Sequence, residues 1–214
     1  MNDTVAGFYE KYSEKAASYD KEHGGRLDYI IDTFQLNKIE NETIADIGGG
    51  YGFLFKRMSP NNKMVIVDGA DIREEQLLCK AAYSKVDLNT EFTSSKGVFD
   101  RTFCFEVIEH LENPYRCICE MKKMTKIGGL IYISVPDICV THNTPYPGLI
   151  YPHGNFEVFL SQMALGIKRY NKYERPHHAH FWECINKDWT EAEMLFPKHE
   201  EKFRGKTPVE YANL

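Results

Sequence analysis

A dense glycine cluster, Gly48-Gly49-Gly50-Tyr51-Gly52, is the first stretch of the sequence whose composition suits ligand binding. It follows the short apolar run 43–47 and precedes the helix-compatible segment 53–58. A strand that runs into such a turn lets backbone amides approach a ligand closely, because glycine has no side chain in the way. The pattern indicates a nucleotide-type binding turn, although a plain tight turn or a dinucleotide site would have a similar sequence.

Acidic residues follow the next apolar runs. Asp68 ends the run 63–67, about twenty residues after the first glycine, where a carboxylate can accept both hydroxyls of a ribose. Asp87, followed by Leu88, ends a third run at a place suited to adenine, and Glu106 ends a fourth. Ligands of open α/β sheets bind beyond the carboxyl ends of the strands, so we expect these side chains to meet at one crevice.

The segments that must position these residues alternate between strand and helix. Apolar runs predict strands, and helical spacing predicts helices. The predicted strands are 43–47, 63–67, 85–88, 99–105 and 130–135, and the predicted helices are 4–36, 74–83 and 114–125. Gly24-Gly25 is expected to interrupt the first helix, and Gly128-Gly129 to cap the last. The alternation predicts a doubly wound α/β fold with a mainly parallel sheet.

Bulk composition is that of an ordinary globular protein, with 43% hydrophobic and 27% charged residues among 214. The net charge of −5 does not favour a nucleic acid partner, whose phosphates require a basic surface. No apolar run approaches the roughly 18 residues of a membrane span, and the polar N-terminus is not a signal peptide. The six cysteines form no CxxC pair and suit buried thiols. We therefore expect a cytoplasmic protein with no membrane partner; the composition leaves the oligomeric state open.

Several motifs resemble, in order and spacing, those of the class I S-adenosylmethionine-dependent methyltransferases. The motifs are IADIGGGYG, VDGAD, VDL, FDRTFCFEVIEHLENP and IGGLIYISVPD, over about residues 43–137. The EVIEHL segment, followed by a helix and GGLIYISVP, distinguishes this family from NAD-binding proteins. The resemblance implies an enzyme that uses S-adenosyl-L-methionine as its methyl donor.

The resemblance also implies roles for residues on the cofactor side. Asp46 would order the glycine loop, whereas Gly48 and Gly50 would face the methionine and ribose. Asp68 would hold the ribose hydroxyls, and Asp87 with Leu88 the adenine. Phe105 would offer its backbone near the methionine. Arg26 is a candidate partner for the methionine carboxylate, because a guanidinium pairs with a carboxylate in a bidentate fork; a solvated arginine is the alternative.

We predict one domain over residues 1–214, with a helical cover at 1–36, a cofactor-binding core at 43–136 and a lid or acceptor region at 137–214. Residues 137–155 are typical of a long loop, and 156–170 of a helix. No two β-rich runs follow residue 183, so we expect an atypical C-terminal region in which the usual antiparallel hairpin is shortened or irregular.

Transfer to a hydroxyl requires removal of its proton, for which histidine is the usual base. The candidate catalytic residues are His110, in the EVIEHL motif, and His178 and His180, in the segment HHAHFW. We expect a small-molecule acceptor that is methylated at oxygen, a sugar or a biosynthetic intermediate.

Two alternatives remain open. In the first, Glu106, Glu109, His110 and His180 hold a divalent metal, as in the small-RNA terminal 2′-O-methyltransferases, which these residues resemble. Asp137 and the acidic charge balance disagree with that pattern, so we assign no metal ligands. In the second, the chain is a non-catalytic module that binds S-adenosylmethionine.

Overall fold

The computed structural model describes residues 16–93, 96–111, 114–136, 160–161, 163–173 and 179–188. Within it the chain divides into two compact units, Met1–Asp87 and Leu88–Leu214. The strands form a seven-stranded sheet of order β3-β2-β1-β4-β5-β7-β6. The predicted doubly wound, mainly parallel α/β fold is confirmed.

In the first unit, three parallel strands follow one helix. The helix α1 is Ala16–Phe34, and the strands are β1, Thr43–Ile47, β2, Lys63–Asp68, and β3, Ala82–Lys85. β2 pairs with both β1 and β3 in parallel register. The branched side chains Ile44, Ile47 and Ile66 are fully buried, as expected for strands covered on both faces.

Two predictions for the connecting helices of this unit are wrong. The segment 74–83 forms only the 3-10 turn Glu74–Gln76, and β3 begins at Ala82 and ends at Lys85, earlier than predicted. The segment after the glycine cluster likewise forms turns and a short 3-10 helix, Phe55–Arg57. Parallel pairing of the strands, and not helical propensity, therefore decides the structure of these short connections.

The predicted interruption at Gly24-Gly25 is also wrong, because α1 runs through both glycines. Asp20, Gly24 and Asp28 share one face at four-residue spacing, and Arg57 lies across it. Arg57 Nη2 is 2.5 Å from Asp20 Oδ1, and Nε is 2.8 Å from Asp28 Oδ1. A Cβ at position 24 would lie 3.1 Å from Arg57 Nη2, so a residue without a side chain lets the guanidinium approach. A tertiary contact thus explains a glycine that helix propensity disfavours.

The described residues of the second unit include a helix and four strands. The strands are β4, Phe99–Phe105, β5, Thr125–Pro136, β6, Leu165–Tyr173, and β7, Ala179–Asn186; the helix α2 is Pro114–Met124. β4 and β5 are parallel, and β7 is antiparallel to both β5 and β6. Gly128-Gly129 lies inside β5 and does not cap α2, because the helix passes into the strand at Thr125.

Of the two alternatives for the C-terminal hairpin, shortening is wrong, whereas one strand is irregular: the register of β6 against β7 shifts between Ile167 and Arg169. β6 and β7 form a full antiparallel hairpin, and β6 replaces the second half of the helix predicted over 156–170. The hairpin lies earlier in the chain than residue 183, and its first strand contains the charged residues Lys168, Arg169 and Lys172, which concealed its β character. The loop predicted over 137–155 lies outside the described residues.

A buried lysine joins the end of α2 to the open end of this hairpin. Lys122 Nζ donates to Asn186 Oδ1 at 2.6 Å, to Lys187 O at 3.0 Å and to Ala164 O at 3.2 Å. Asn186 Nδ2 in turn donates to the carbonyl oxygens of Lys122 and Thr125. Burial lowers the pKa of Lys122 to about 8, and the three acceptors compensate for the desolvation of its charge.

The two helical glycines provide a matched test of the Arg57 contact. Gly25→Ala, at an exposed position, should raise the free energy of unfolding by roughly 0.5–1 kcal/mol, as expected for alanine in a helix. Gly24→Ala should gain less or lose stability, because its new methyl group crowds Arg57. Urea denaturation measures the free energy of unfolding of both variants. If both variants gained the same stability, Arg57 would not occupy this face of the helix.

Candidate active site

The glycine loop of the first unit has the left-handed backbone that glycine permits. Gly48, Gly50 and Gly52 have φ values of 71°, 53° and 82°. The amide of Gly48 donates to Val67 O at 2.8 Å, which fixes the start of the loop beside β2. A Cβ at Gly50 would meet no atom within 4 Å, so the loop is open on that side. Backbone conformation, and not crowding, requires glycine at this position.

Asp68 ends β2 with its carboxylate held by backbone amides. Oδ2 accepts the amide of Gly50 at 2.8 Å, and Oδ1 accepts the amide of Ala70 at 2.9 Å. The residue is buried; burial raises its pKa, and the hydrogen bonds from Ala70 and Gly50 oppose that rise. Because each carboxylate oxygen has more than one acceptor direction, these contacts orient the group and leave acceptor capacity for a ligand hydroxyl.

Asp46 lies in β1 directly beneath the loop. A Cβ on Gly49 would lie 2.6 Å from Asp46 Oδ2, so the loop can rest on this carboxylate only with glycine at position 49. Burial, with a smaller contribution from Asp68, raises the pKa of Asp46 well above its ordinary value. The position of Asp46 supports its predicted loop-ordering role. Sequence reasoning missed Gly49, although its place in the triple glycine was visible.

The segment around Cys79 also contacts the loop, and sequence reasoning missed it as well. The amide of Leu78 donates to Tyr51 O at 2.9 Å, and a Cβ on Gly52 would lie 2.6 Å from Cys79 Sγ. Burial and the nearby Asp46 raise the pKa of Cys79 to about 11, so the thiol stays protonated and packs as a small apolar group. No sequence signal marked this contact.

Other predicted cofactor residues fall in both units. Arg26 is buried on α1. Asp87 is the last residue of the first unit and lies two residues past β3; Leu88 opens the second unit and is buried. Their roles toward the cofactor stay predictions.

In the second unit, an acidic residue with strained backbone follows β4. Phe105 ends the strand, and its ring contacts Phe103 and Phe181 at centroid distances of 5.7 and 6.2 Å. Glu106 then has φ 56°, an uncommon value for a side chain of this size. The buried Ser134 holds it: its Oγ accepts the Glu106 amide at 3.0 Å and donates to Glu106 Oε1 at 2.6 Å.

His110 ends the short 3-10 helix Ile108–His110. Its Nε2 is 3.7 Å from Oε1 of the buried Glu109. Burial lowers the pKa of His110 below 6.5, so the imidazole is neutral at neutral pH. A neutral imidazole can accept a proton, which suits the predicted base role.

His180 lies on β7 within a row of stacked rings. Its Nδ1 shares a hydrogen bond of 2.8 Å with Tyr170 Oη, and its ring stacks on those of Tyr170 and Trp182 at 5.9 Å in each case. These contacts fix the orientation of the imidazole. His178 lies outside the described residues.

The four residues named for the metal alternative, Glu106, Glu109, His110 and His180, all lie in the described part of the chain. Across the described segments, no group of three or more His, Cys, Asp or Glu side chains is arranged to hold a metal ion. Instead, Glu106 bonds to Ser134 and His180 to Tyr170. The metal-dependent alternative stays untested.

Comparisons with known proteins agree with this fold. A methyltransferase domain model matches residues 45–133. The ubiquinone biosynthesis O-methyltransferase of Glaesserella parasuis serovar 5 is 26% identical, over 79% of this chain and 73% of the relative. The enzyme of the same description from Dechloromonas aromatica is 24% identical, over 73% of this chain and 67% of the relative.

Solved structures share the fold. A methyltransferase from Clostridium acetobutylicum aligns with a TM-score of 0.62 at 14% identity, covering 83% of this chain and 99% of that one. One from Aquifex aeolicus aligns with a TM-score of 0.59 at 17% identity, covering 75% and 89%. Fold and motifs together define an enzyme with a Rossmann-like cofactor-binding architecture. The domain model, the relatives and the shared fold together support a class I S-adenosylmethionine-dependent methyltransferase.

Among the described residues, no helix has both the length and the apolar character that crossing a bilayer requires.

The raised pKa of the buried Asp46 carboxyl predicts how the free energy of unfolding changes with pH. Because the folded pKa is raised above 3.8, the folded state holds a proton that the unfolded state has released. The stability of the parent protein should therefore fall as pH rises from about 4 through the raised pKa. Asp46→Asn does not titrate, so urea denaturation across this range should show the variant gaining relative to the parent. If the free energies of unfolding of the parent and of Asp46→Asn changed with pH in the same way, the raised pKa of Asp46 would be contradicted.

Proposed function

We propose that this methyltransferase transfers its methyl group to an oxygen atom of a small molecule. The observation that carries the proposal is the similarity to relatives described as ubiquinone biosynthesis O-methyltransferases, which align over 79% and 73% of this chain. A biosynthetic intermediate with a free hydroxyl is the acceptor class that these relatives favour, and a sugar is the other class that the sequence suggests.

The residues of the first unit fit the methyl donor. Gly50 leaves open space where a side chain would stand, and Asp68 offers an oriented carboxylate for ribose hydroxyls. We assign Gly48 and Gly50 to the methionine and ribose, Asp46 to support of the loop, and Arg26 to the methionine carboxylate. We assign Asp87 and Leu88 to the adenine, and the backbone of Phe105 to the methionine.

When bound, S-adenosyl-L-methionine supplies an activated sulfonium methyl group, so the protein mainly positions the reactants and manages one proton. We assign the acceptor proton to a histidine among His110, His178 and His180. His110 is neutral at neutral pH, and Tyr170 orients His180. These are the features that a general base requires.

The cofactor assignment predicts a loss of binding on changing Asp68. S-Adenosylhomocysteine should raise the melting temperature of the parent, because it binds the folded state selectively. Asp68→Ala should weaken binding by roughly 10- to 100-fold, the effect of losing hydrogen bonds to a charged group. If Asp68→Ala unfolds, Asp68→Asn replaces it in the experiment, because this change preserves the packing.

Asp71→Ala is the matched control for that experiment, because this nearby aspartate is exposed and pairs only on the surface with Lys85. Titration calorimetry measures the affinities. Equal affinity in the Asp68 variants and the parent would contradict the placement of the ribose.

The base assignment predicts a loss of turnover without a loss of cofactor binding. In a panel of hydroxyl-bearing acceptors, methyl ethers should form, and EDTA should leave the rate unchanged. At least one of His110→Ala, His178→Ala and His180→Ala should lower turnover per folded molecule while affinity for S-adenosylhomocysteine stays within about twofold. Methylation of RNA that stops on chelation would support the metal-dependent alternative, and binding without any methylation would support the non-catalytic one.

A further inference from the structure

The Arg57 guanidinium, shortly after the glycine loop, bonds through all three of its nitrogens. Nε donates to Asp28 Oδ1 at 2.8 Å, Nη2 to Asp20 Oδ1 at 2.5 Å, and Nη1 to Phe53 O at 3.0 Å. Two of these acceptors belong to α1, whereas the third is a backbone carbonyl next to the glycine loop. One side chain therefore joins the helix and the loop at three points.

The helix face beneath Arg57 is shaped for this contact. Asp20 and Asp28 lie two turns apart, and Gly24 lies between them. A Cβ at Gly24 would approach Arg57 Nη2 at 3.1 Å and Asp20 Oδ1 at 3.4 Å. The glycine thus lets the planar guanidinium lie flat on the helix and reach both carboxylates.

The ion pair is partly shielded from solvent at Asp20, whereas the side chain of Asp28 is 64% exposed. The side chain of Arg57 is 18% exposed, and that of Asp20 is 31% exposed. The hydrogen bond from Arg57 is the main cause that lowers the pKa of Asp20. Burial alone would lower the pKa of Arg57, but the bonds to Asp28 and Asp20 raise it. An ion pair with several bonds per group is worth more than a single exposed pair.

The contact lies between two segments that the proposed function assigns to the methyl donor. The loop that ends at Gly52 precedes Arg57 by five residues, and the amide of Lys56 donates to Gly52 O at 2.9 Å. On the other side, α1 contains Arg26, assigned to the methionine carboxylate. Any shift between α1 and the loop would therefore separate two groups that must bind one ligand.

We propose that Arg57 is a positioning residue for cofactor binding, which holds α1 and the glycine loop in the arrangement that binds S-adenosylmethionine. The inference rests on the proposed assignment of that loop and helix to the cofactor. Without Arg57, the binding arrangement becomes a minor population, and the apparent dissociation constant rises in inverse proportion to that population.

The experiment measures S-adenosylhomocysteine affinity by titration calorimetry at low temperature, together with the melting temperature. Arg57→Met, which keeps the aliphatic packing, should weaken binding on the order of tenfold, corresponding to a binding-competent population of about one tenth. Arg57→Lys should restore part of the affinity, because one ammonium retains the charge but cannot bond to all three acceptors.

A cycle of variants tests whether the effect acts through the helix. The double change Asp20→Asn with Asp28→Asn should weaken binding in the same way as Arg57→Met. Adding Arg57→Met to it should have little further effect, because both changes break the same contact. If the losses of affinity from the aspartate changes and from Arg57→Met simply added, the proposal that Arg57 acts through its contacts with α1 would be wrong.

Two controls separate positioning from general stability. Lys56→Met removes the adjacent, exposed lysine that lies 3.4 Å from Asp20, and should leave affinity unchanged. Asn62→Ala breaks buried bonds to Ile39 and Glu42, so it should lower the melting temperature but not the low-temperature affinity.

The outcomes are distinguishable. If the parent protein binds S-adenosylhomocysteine and folded Arg57→Met binds it equally well, Arg57 is only structural and the inference is wrong. If the parent itself does not bind the ligand, the cofactor assignment fails instead.

Discussion

Two carboxylates buried at the ends of neighbouring strands constrain the glycine loop of the first unit. Asp46 and Asp68 are almost inaccessible to solvent; burial raises the pKa of both carboxyl groups, and the nearby Asp68 raises that of Asp46 further. A buried carboxylate is tolerated only where donors reach it. The amides of Gly50 and Ala70 supply those donors for Asp68, so the loop must fold back onto the strand end. The left-handed glycines follow from that requirement.

The same constraint explains why the surroundings of the loop are so closely packed. Gly49 rests on Asp46, and Gly52 on Cys79, at distances that leave no room for a Cβ. Arg57 then fixes the outgoing segment against α1. The backbone of the glycine loop therefore rests on the carboxyl group of Asp46 and packs beside Cys79. A loop that is held in this way needs little reorganisation to bind a ligand.

The second unit is organised differently. Instead of buried carboxylates below a loop, it has a hairpin whose strand β7 carries His180 between Tyr170 and Trp182, and a strained Glu106 held by Ser134. Strained backbone with a bonded side chain is typical of functional sites. The hairpin depends in turn on the buried Lys122, whose three acceptors close its open end against α2.

Sequence alone indicated the fold class, the strands that carry Asp46, Asp68 and Phe105, and the resemblance to class I methyltransferases. These rest on local signals: apolar runs of strand length, glycines at a turn, and acids at fixed distances after them. Their physical basis is short-range, because each strand is recognisable from its own residues.

The tertiary structure decided what depends on distant partners. Helix α1 continues through Gly24 because Arg57 fills the space, and Gly49 is required because Asp46 lies beneath it. The charged strand β6 is a strand because β7 supplies its hydrogen-bonding partner, whereas its own residues pointed to a helix. His180 and Glu106, once candidates for one metal, bond instead to Tyr170 and Ser134. Such contacts join residues far apart in the chain, so no local pattern could have revealed them.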